Sequence, residues 1–320
     1  MHVNRDVVAY AVKRVLQGVF VLWAAYTVTF LVLFLLPGDA ATVMAGGEDA
    51  GTSDEQLAAL RAEFGLDRPI YEQYVISLGK ALTLDFGSSF RSGQPALEAM
   101  TSVLPQTLAL AALALPLSLL AGVALALGGV FSRHRWIRQA VGSLPPLGVA
   151  VPTFWIGLLL LQLFSFRIRL FPSMGNEGLI SLVLPAVTLA IPTSAVIAQL
   201  LAKSLRQTLG EPYIQVVRAK GASRWVVNFG HALRNAAIPT LTMLGILIGN
   251  LLAGATVSET VFSRTGIGRL TVTAVNDRDI PVVQVIVLFV AFVFVVVNLL
   301  VDVLYPLVDP RISVRRTAQA

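Results

Sequence analysis

Cysteine is absent from the 320-residue chain, which excludes disulfides and thiolate metal sites. Histidine is scarce, with His2, His134 and His231 the whole set. None is placed to act as the base of a nucleophilic pair, which argues against an intramembrane enzyme. A phosphate-binding P-loop is missing too. That loop needs glycine, four residues, then Gly-Lys-Ser/Thr. The one Gly-Lys pair, Gly79-Lys80, is followed by Ala81 and has Tyr74 where the first glycine belongs. Charge is thin throughout, at 13% of residues against 56% hydrophobic. That balance points to a bilayer as the solvent.

What the chain does have is six long runs without a charge: Val15 to Gly38, Ala99 to Ser132, Gln139 to Phe166, Gly178 to Ala202, Asn235 to Ser258 and Ile280 to Val301. Each is 22 residues or longer, and a spanning helix needs about 20 apolar residues. Six spanning helices are expected. Buried helices of a large soluble protein would show a polar stripe, whereas Val282 to Val297 holds the single polar residue Gln284 and no stripe. Lys13 and Arg14 precede the first run as they would a signal peptide, but the run exceeds the usual apolar length of one and is expected to stay as a membrane helix. With the N-terminus in the cytoplasm, six crossings put 15 of the 24 Lys and Arg on the inner side. The outer side then holds nine, outnumbered by 14 acids. This is the positive-inside bias. It accounts for the net charge of +6 without nucleic-acid binding. All three histidines fall on the cytoplasmic side, so no histidine-lined metal path is expected.

The segment from Asp39 to Glu98 reads as an ordered outer cap. Ser53 with Gln56 forms a capping-box pattern before DEQLAALRAEF, and Gly65 is suited to close that helix. Pro69 suits a first helical turn, with Ile70, Tyr71, Tyr74, Val75 and Leu78 expected on one packed face. Pro116, Pro145, Pro146, Pro152, Pro185 and Pro192 lie in or beside the apolar runs and are expected to bend helices. Gln106, Gln162, Gln199 and Asn250 read as interhelical hydrogen-bond partners, and Asp302 as an inner-interface acid within reach of an arginine. An ion-coupled secondary transporter would want acids at mid-membrane, and apart from Asp302 no acid lies in the runs.

One polar insert interrupts this pattern, residues 203–234 between the fourth and fifth runs. Glu211-Pro212 marks a helix start, and Gly221 permits a sharp turn. Ser223 then offers an N-cap to a second short helix, in which Trp225, Phe229 and Leu233 form an apolar stripe beside Arg224, His231 and Arg234. The expected product is a rigid cytoplasmic knob of two short helices. An amphipathic hairpin on the anionic inner leaflet is the alternative.

RAKGAS at 218–223, followed by HALRNAAIP, resembles the EAA loop of permease subunits of ABC importers, in the form used by peptide/nickel-type permeases. FLLPGD, FGLDRPIYEQY, LDFGSSF, VPTFWIGLLL, LPAVTLAIP, ETVFSRTGIGRL and LLVDVLYPLVDPRI extend the likeness in order along nearly the whole chain. The Pro-Gly-Asp and the large cap resemble the B-type subunit rather than its C-type companion. The resemblance implies an all-α polytopic membrane protein of the bacterial plasma membrane, in the type I importer permease fold, with both termini cytoplasmic. Its parts would be residues 1–38 (N-terminus and first helix), 39–98 (outer cap), 99–310 (permease core with insert 203–234) and 311–320 (cytoplasmic tail). The resemblance further implies a C-type permease partner, two cytoplasmic ATPases that carry the ATP and magnesium, and an extracytoplasmic substrate-binding protein. The substrate class is peptides, with nickel chelates, glutathione and haem as minority cargoes. By the same carry-over, Arg218, Ala219, Lys220, Gly221, Ala222 and Ser223 form the coupling helix and turn seated in an ATPase cleft. Gln215, Val216 and Val217 stand where the Glu-Ala-Ala triplet would lie. No residue is assigned to the substrate path, and no catalytic, cofactor or metal role falls to this chain.

Overall fold

The computed structural model describes residues 3–35, 41, 42, 45 and 53–308. The Pro37-Gly38-Asp39 stretch, the Asp302 side chain and the tail 311–320 lie outside the described residues. The helices run in the order α1 (Val3–Leu35), α2 (Asp54–Phe64), α3 (Ile70–Ala81), α4 (Ala96–Phe131), α5 (Arg135–Ala150), α6 (Thr153–Leu160), α7 (Ile180–Gly210), α8 (Pro212–Ala219), α9 (Leu233–Thr242), α10 (Leu244–Val261), α11 (Ile267–Asn276) and α12 (Ile280–Val308). π-helical turns at Leu161–Arg167 and Val226–Ala232 continue α6 and lead into α9.

Among the described residues, four helical stretches are long and apolar enough to cross a membrane alone: Val12–Leu33, Ala96–Phe131, Ile180–Gly210 and Ile280–Leu300. Two further crossings arise if each bent pair counts as one, α5 with α6 and α9 with α10. The third run is therefore not the single spanning helix that its composition suggests. It breaks between α5 and α6 with a bend of 106°. The cause is local: Val151 is extended, with φ −85° and ψ 128°, as the ring of the following Pro152 demands. Pro145, Pro146, Pro185, Pro192 and Pro239 stay inside their helices. The fifth run is bent by 53° where α9 gives way to α10.

The chain forms two compact units. One comprises the described residues up to Gln106 together with Thr265–Val295, the other Thr107–Arg264 together with those from Val296. In the first unit the core gathers Ala96 and Met100 of α4, Ile267 and Ala274 of α11, and Val282, Val283 and Ile286 of α12. The capping box at α2 is formed: Ser53 Oγ accepts from Gln56 N–H at 3.3 Å, and Gln56 Oε1 accepts from Ser53 N–H at 3.2 Å. Gly65 closes the helix at φ +66°, as expected. Gln73 Nε2 donates to the carbonyls of Leu66 (3.3 Å) and Arg68 (2.8 Å), which fixes the α2–α3 link. The packed face of α3 differs from the one expected. Tyr74 and Leu78 turn inward with Gln73 and Ser77, while Ile70, Tyr71 and Val75 are exposed. The Tyr74 hydroxyl bonds the Thr27 hydroxyl at 2.7 Å, and its ring meets Phe30 edge-on at 5.4 Å; this anchor sets the rotation of α3. The LDFGSSF loop is clasped by buried Asp279, which accepts from the Ser89 hydroxyl and from Phe90 N–H at 3.1 Å, and by the Arg91–Asp277 ion pair.

In the second unit α7 is the central element. Sixteen of its 31 residues are buried, and it packs against α5, α6, α9 and α10. Its small residues Ala186, Ala190, Ala195 and Ala198 let other helices come close. Glycines supply the opposing surface. A Cβ on Gly122 would stand 2.7 Å from Ile197 Cβ, one on Gly148 2.9 Å from Ala195 Cβ, and one on Gly157 3.3 Å from Thr188 Cγ2. The hydroxyls in these packed helices bond back to their own backbones, Ser118 to Ala114 O at 2.7 Å and Thr188 to Leu184 O at 2.8 Å, so neither is buried unpaired. Replacing Gly122 with alanine is expected to lower stability by about 1–3 kcal/mol through overpacking. Thermal unfolding in detergent checks this, with Gly142→Ala as the control, since a Cβ there meets nothing within 4 Å.

Candidate functional site

The insert folds much as its residues dictate. Glu211 is extended (φ −65°, ψ 143°) and Pro212 opens α8 at a position where its missing N–H costs nothing. The helix ends in a tight turn: Lys220 N–H donates to Val216 O at 3.0 Å, Gly221 N–H to Arg218 O at 3.0 Å and Ala222 N–H to Val217 O at 3.3 Å. Gly221 takes φ +83°, a left-handed conformation that side-chain-bearing residues adopt at a cost. Ser223 caps the next helix, with its Oγ accepting from Val226 N–H at 3.4 Å. That helix is not short and separate, as the sequence suggests. It runs from Arg224 through the π turn into α9 without a break. The π turn shifts the register that a four-residue stripe assumes, so Trp225 is 70% exposed while Phe229 and Leu233 are half-buried.

The knob stands on a firm base. Ile214 of α8 and Val227 are buried in a cluster with Ala126 of α4, Leu201 and Leu205 of α7, and Ala232 and Ala236. Trp225 lies over Phe229 with ring centroids 4.0 Å apart, Phe229 meets Phe131 edge-on at 5.6 Å, and Asn235 Nδ2 donates to the Tyr213 hydroxyl at 2.7 Å. Arg218, Ala219, Lys220, Gly221 and Ser223 are exposed together at the tip, with Ala222 half-buried. A hollow of about 410 Å³ opens beside the turn, with Arg218 and Arg224 on its wall and Phe131 and Leu209 behind. No side chain fills the space above Gly221. Five of the six residues singled out in the sequence are therefore exposed together at the tip, with Arg218 and Lys220 making it basic and Arg224 adjoining them, on a packed support.

A second polar centre escapes sequence reasoning. Glu259 and Arg264, each 1% exposed, are buried near the end of α10. The Thr107 hydroxyl donates to Glu259 Oε1 at 2.6 Å. Arg264 Nη1 donates to Gly175 O (2.8 Å), Ser181 O (3.1 Å) and Ser181 Oγ (2.9 Å). Burial pulls the Arg264 guanidinium below its ordinary range, and the Glu259 carboxylate opposes that shift. Both residues stand just past the apolar run in ETVFSRTGIGRL, where charge alone reads as solvated; the signal available was the short spacing of an acid and a base at a helix end. The polar residues expected to bond between helices do not do so. Gln162, Gln199 and Asn250 are exposed, and among the described residues they have no hydrogen-bond partner. The buried bonds are made by hydroxyls instead.

Breaking the buried centre is expected to be costly, because a lone buried charge remains. Arg264→Met should destabilise the protein by about 3–5 kcal/mol, and adding Glu259→Gln should restore part of it. A double-mutant cycle on thermal unfolding in detergent measures the coupling.

Two families match the chain. Residues 97–314 match the family described as binding-protein-dependent transport system inner membrane component, and residues 7–111 match the N-terminal part of such membrane components. A putative peptide transport system permease protein of Brucella suis biovar 1 (strain 1330) is 38% identical over 312 residues, covering 95% of this chain and 98% of its own length. The glutathione transport system permease protein of Salmonella typhi is 37% identical over 304 residues, with coverage of 95% and 98%. Among solved structures, the MetNI methionine ABC transporter in inward-facing conformations superposes with a TM-score of 0.52 at 15% identity, over 66% of this chain and 97% of that one. An amino acid ABC transporter crystallised with histidines gives 0.50 at 20% identity, over 67% and 94%. At these identities the structures speak for the fold, and the family rests on the sequence: with residues 97–314 matched, this protein belongs to the binding-protein-dependent transport system inner membrane components.

Proposed function

We propose that the chain is a permease subunit of an ATP-driven importer, forming with a second permease the path by which peptides, or a related small solute such as glutathione, enter the cell from a substrate-binding protein. The observation that carries this reading is the exposed Gly221 turn, held on a rigid base beneath a bundle of apolar helices. A floppy loop would absorb motion, whereas this knob transmits it. The relatives named for peptide and glutathione transport support the substrate class.

In this reading six crossings span the bacterial inner membrane with both termini in the cytoplasm, the cap of residues 39–98 faces outward, and residues 203–234 face inward. Two ATPases hold ATP and magnesium, and Arg218, Ala219, Lys220, Gly221, Ala222 and Ser223 seat in a cleft of one of them. ATP binding draws the knob inward and switches the path between outward- and inward-facing states, a rigid-body transition. The exposed Gln162, Gln199 and Asn250 are suited to a face covered by the second permease or opening on the path. No residue of this chain does bond chemistry. Glu259, engaged by Thr107 and set near Arg264, serves structure and gives an ion-coupled mechanism no free acid.

Gly221→Arg is expected to abolish capture of the ATPase subunits in a mild-detergent affinity purification while leaving membrane insertion intact. The guanidinium would fill the turn, and φ +83° adds backbone strain. Recovery of the ATPases with that variant at wild-type yield, or normal transport by it, would remove the coupling role. A periplasm-dependent reporter fused after Gln94 should be active and one fused after Gln207 inactive; the reverse pattern overturns the topology.

A further inference from the structure

The helix α3 presents an apolar stripe to the outside of the chain: Tyr71, Val75 and Leu82, the residue after α3, are 69%, 64% and 82% exposed. In water such a stripe is a liability. Its depth says what it meets. On α1 the last charges before the apolar stretch are Lys13 and Arg14, and Tyr26 follows 12 residues after Arg14. That is about 18 Å of helix rise, some 12 Å short of crossing a hydrocarbon core of about 30 Å. On α12 the last charge before the apolar run is Asp279, and Gln284 lies five residues on, about 7 Å below the same boundary. Both rulers put this level inside the hydrocarbon, roughly 7–12 Å below its outer boundary, and they refer to one place because the Tyr26 hydroxyl stands beside the Gln284 and Ser77 side chains.

Ser77 belongs to α3, and its side chain is short. The α3 backbone must therefore run at the level of the Tyr26 hydroxyl, which itself leans toward the N-terminal end of α1, as side chains on a helix do. The Tyr74 bond to Thr27 and its contact with Phe30 hold α3 at the same level. α1 shows exposed Val28, Leu31 and Val32 at this height, so the stripe continues an apolar surface of the span. Charge on α3 lies away from the stripe or at its edge: Lys80 lines a hollow with Arg68 and Asp85 that none of Tyr71, Val75 and Leu82 touches, and Glu72 is exposed in the first turn, beside the stripe.

From this geometry we infer that α3 is an interfacial membrane helix, lodged in the leaflet remote from the N-terminus with Tyr71, Val75 and Leu82 against lipid acyl chains. The cap is thus anchored in the bilayer rather than standing clear of it. The inference rests on α1 and α12 crossing the membrane, and on no assignment of substrate or partner.

The absence of cysteine makes the test direct. Single cysteines at Val75 and Leu82 are spin-labelled in the assembled transporter in phosphatidylcholine liposomes, with Val28→Cys as the bilayer reference and Glu55→Cys on α2 as the aqueous one. Collision with oxygen and with a water-soluble nickel chelate is then compared. Both α3 labels are expected to favour oxygen severalfold, like the Val28 label, with the ratio reversed at Glu55. Nickel accessibility at Val75 and Leu82 equal to that at Glu55 would overturn the proposal in favour of a solvated cap. Low collision with both reagents would overturn it in favour of a protein partner. Nickel access at Val28 would instead disprove the crossing on which the depth is measured.

Discussion

The close approach of α4, α5 and α6 to α7 is the constraint on which the larger unit depends. In a bilayer, lipid tails are as apolar as leucine, so helices gain little by burying apolar surface against each other. What remains is contact at short range. Gly122, Gly148 and Gly157 provide it by offering no Cβ where Ile197, Ala195 and Thr188 stand. With the helices that close, α7 becomes a buried post, and elements joined to it inherit a fixed frame. The α8 knob is one such element, since Ile214 is sealed among Leu201, Leu205 and Ala126.

Polar groups in this frame are handled in two ways. Several hydroxyls bond to carbonyls of their own helix, as at Ser118 and Thr188, while the buried Ser258 hydroxyl reaches across to the Pro185 carbonyl at 3.1 Å. Among the described residues of this unit, buried charge is confined to the Glu259–Arg264 centre, where one guanidinium ties Gly175 and Ser181, ahead of α7 and at its start, to the turn after α10. The same economy holds in the smaller unit, where Asp279 gathers the Ser89 hydroxyl and the Phe90 amide and so fixes the fourteen-residue link between α3 and α4, whose sequence is mostly small and polar.

Much of this was legible in the residues because its causes are local. A capping box at Ser53, a left-handed glycine at 65 and another at 221, and a proline at the start of α8 each act through their own backbone. Long apolar runs report the bilayer in the same direct way. The departures come where a tertiary contact decides. The α3 face was rotated by one distant hydroxyl pair, Thr27 with Tyr74, which periodicity does not contain. The 106° break at Pro152 was flagged as a bend, but its size depends on how α5 and α6 each find α7. Glu259 and Arg264 read as surface charges because burial is a property of the fold and not of the pair. The exposed knob was legible as a motif, yet its support by Phe131 and Leu205 was not, since those residues lie far away in the chain.

In the importer reading proposed above, the unbroken helix from Arg224 to Thr242 is a transmission shaft. Nineteen residues make a rod of about 28 Å, one end next to the Gly221 turn and the other at the junction with α10. No loop intervenes in which a displacement could be lost to slack. The π turn within it adds a little torsional compliance without adding a joint. In that reading a push at the turn would arrive at the far end as rotation and tilt of the rod, with the gearing set by the length of the rod and by the 53° angle at which α10 takes it up.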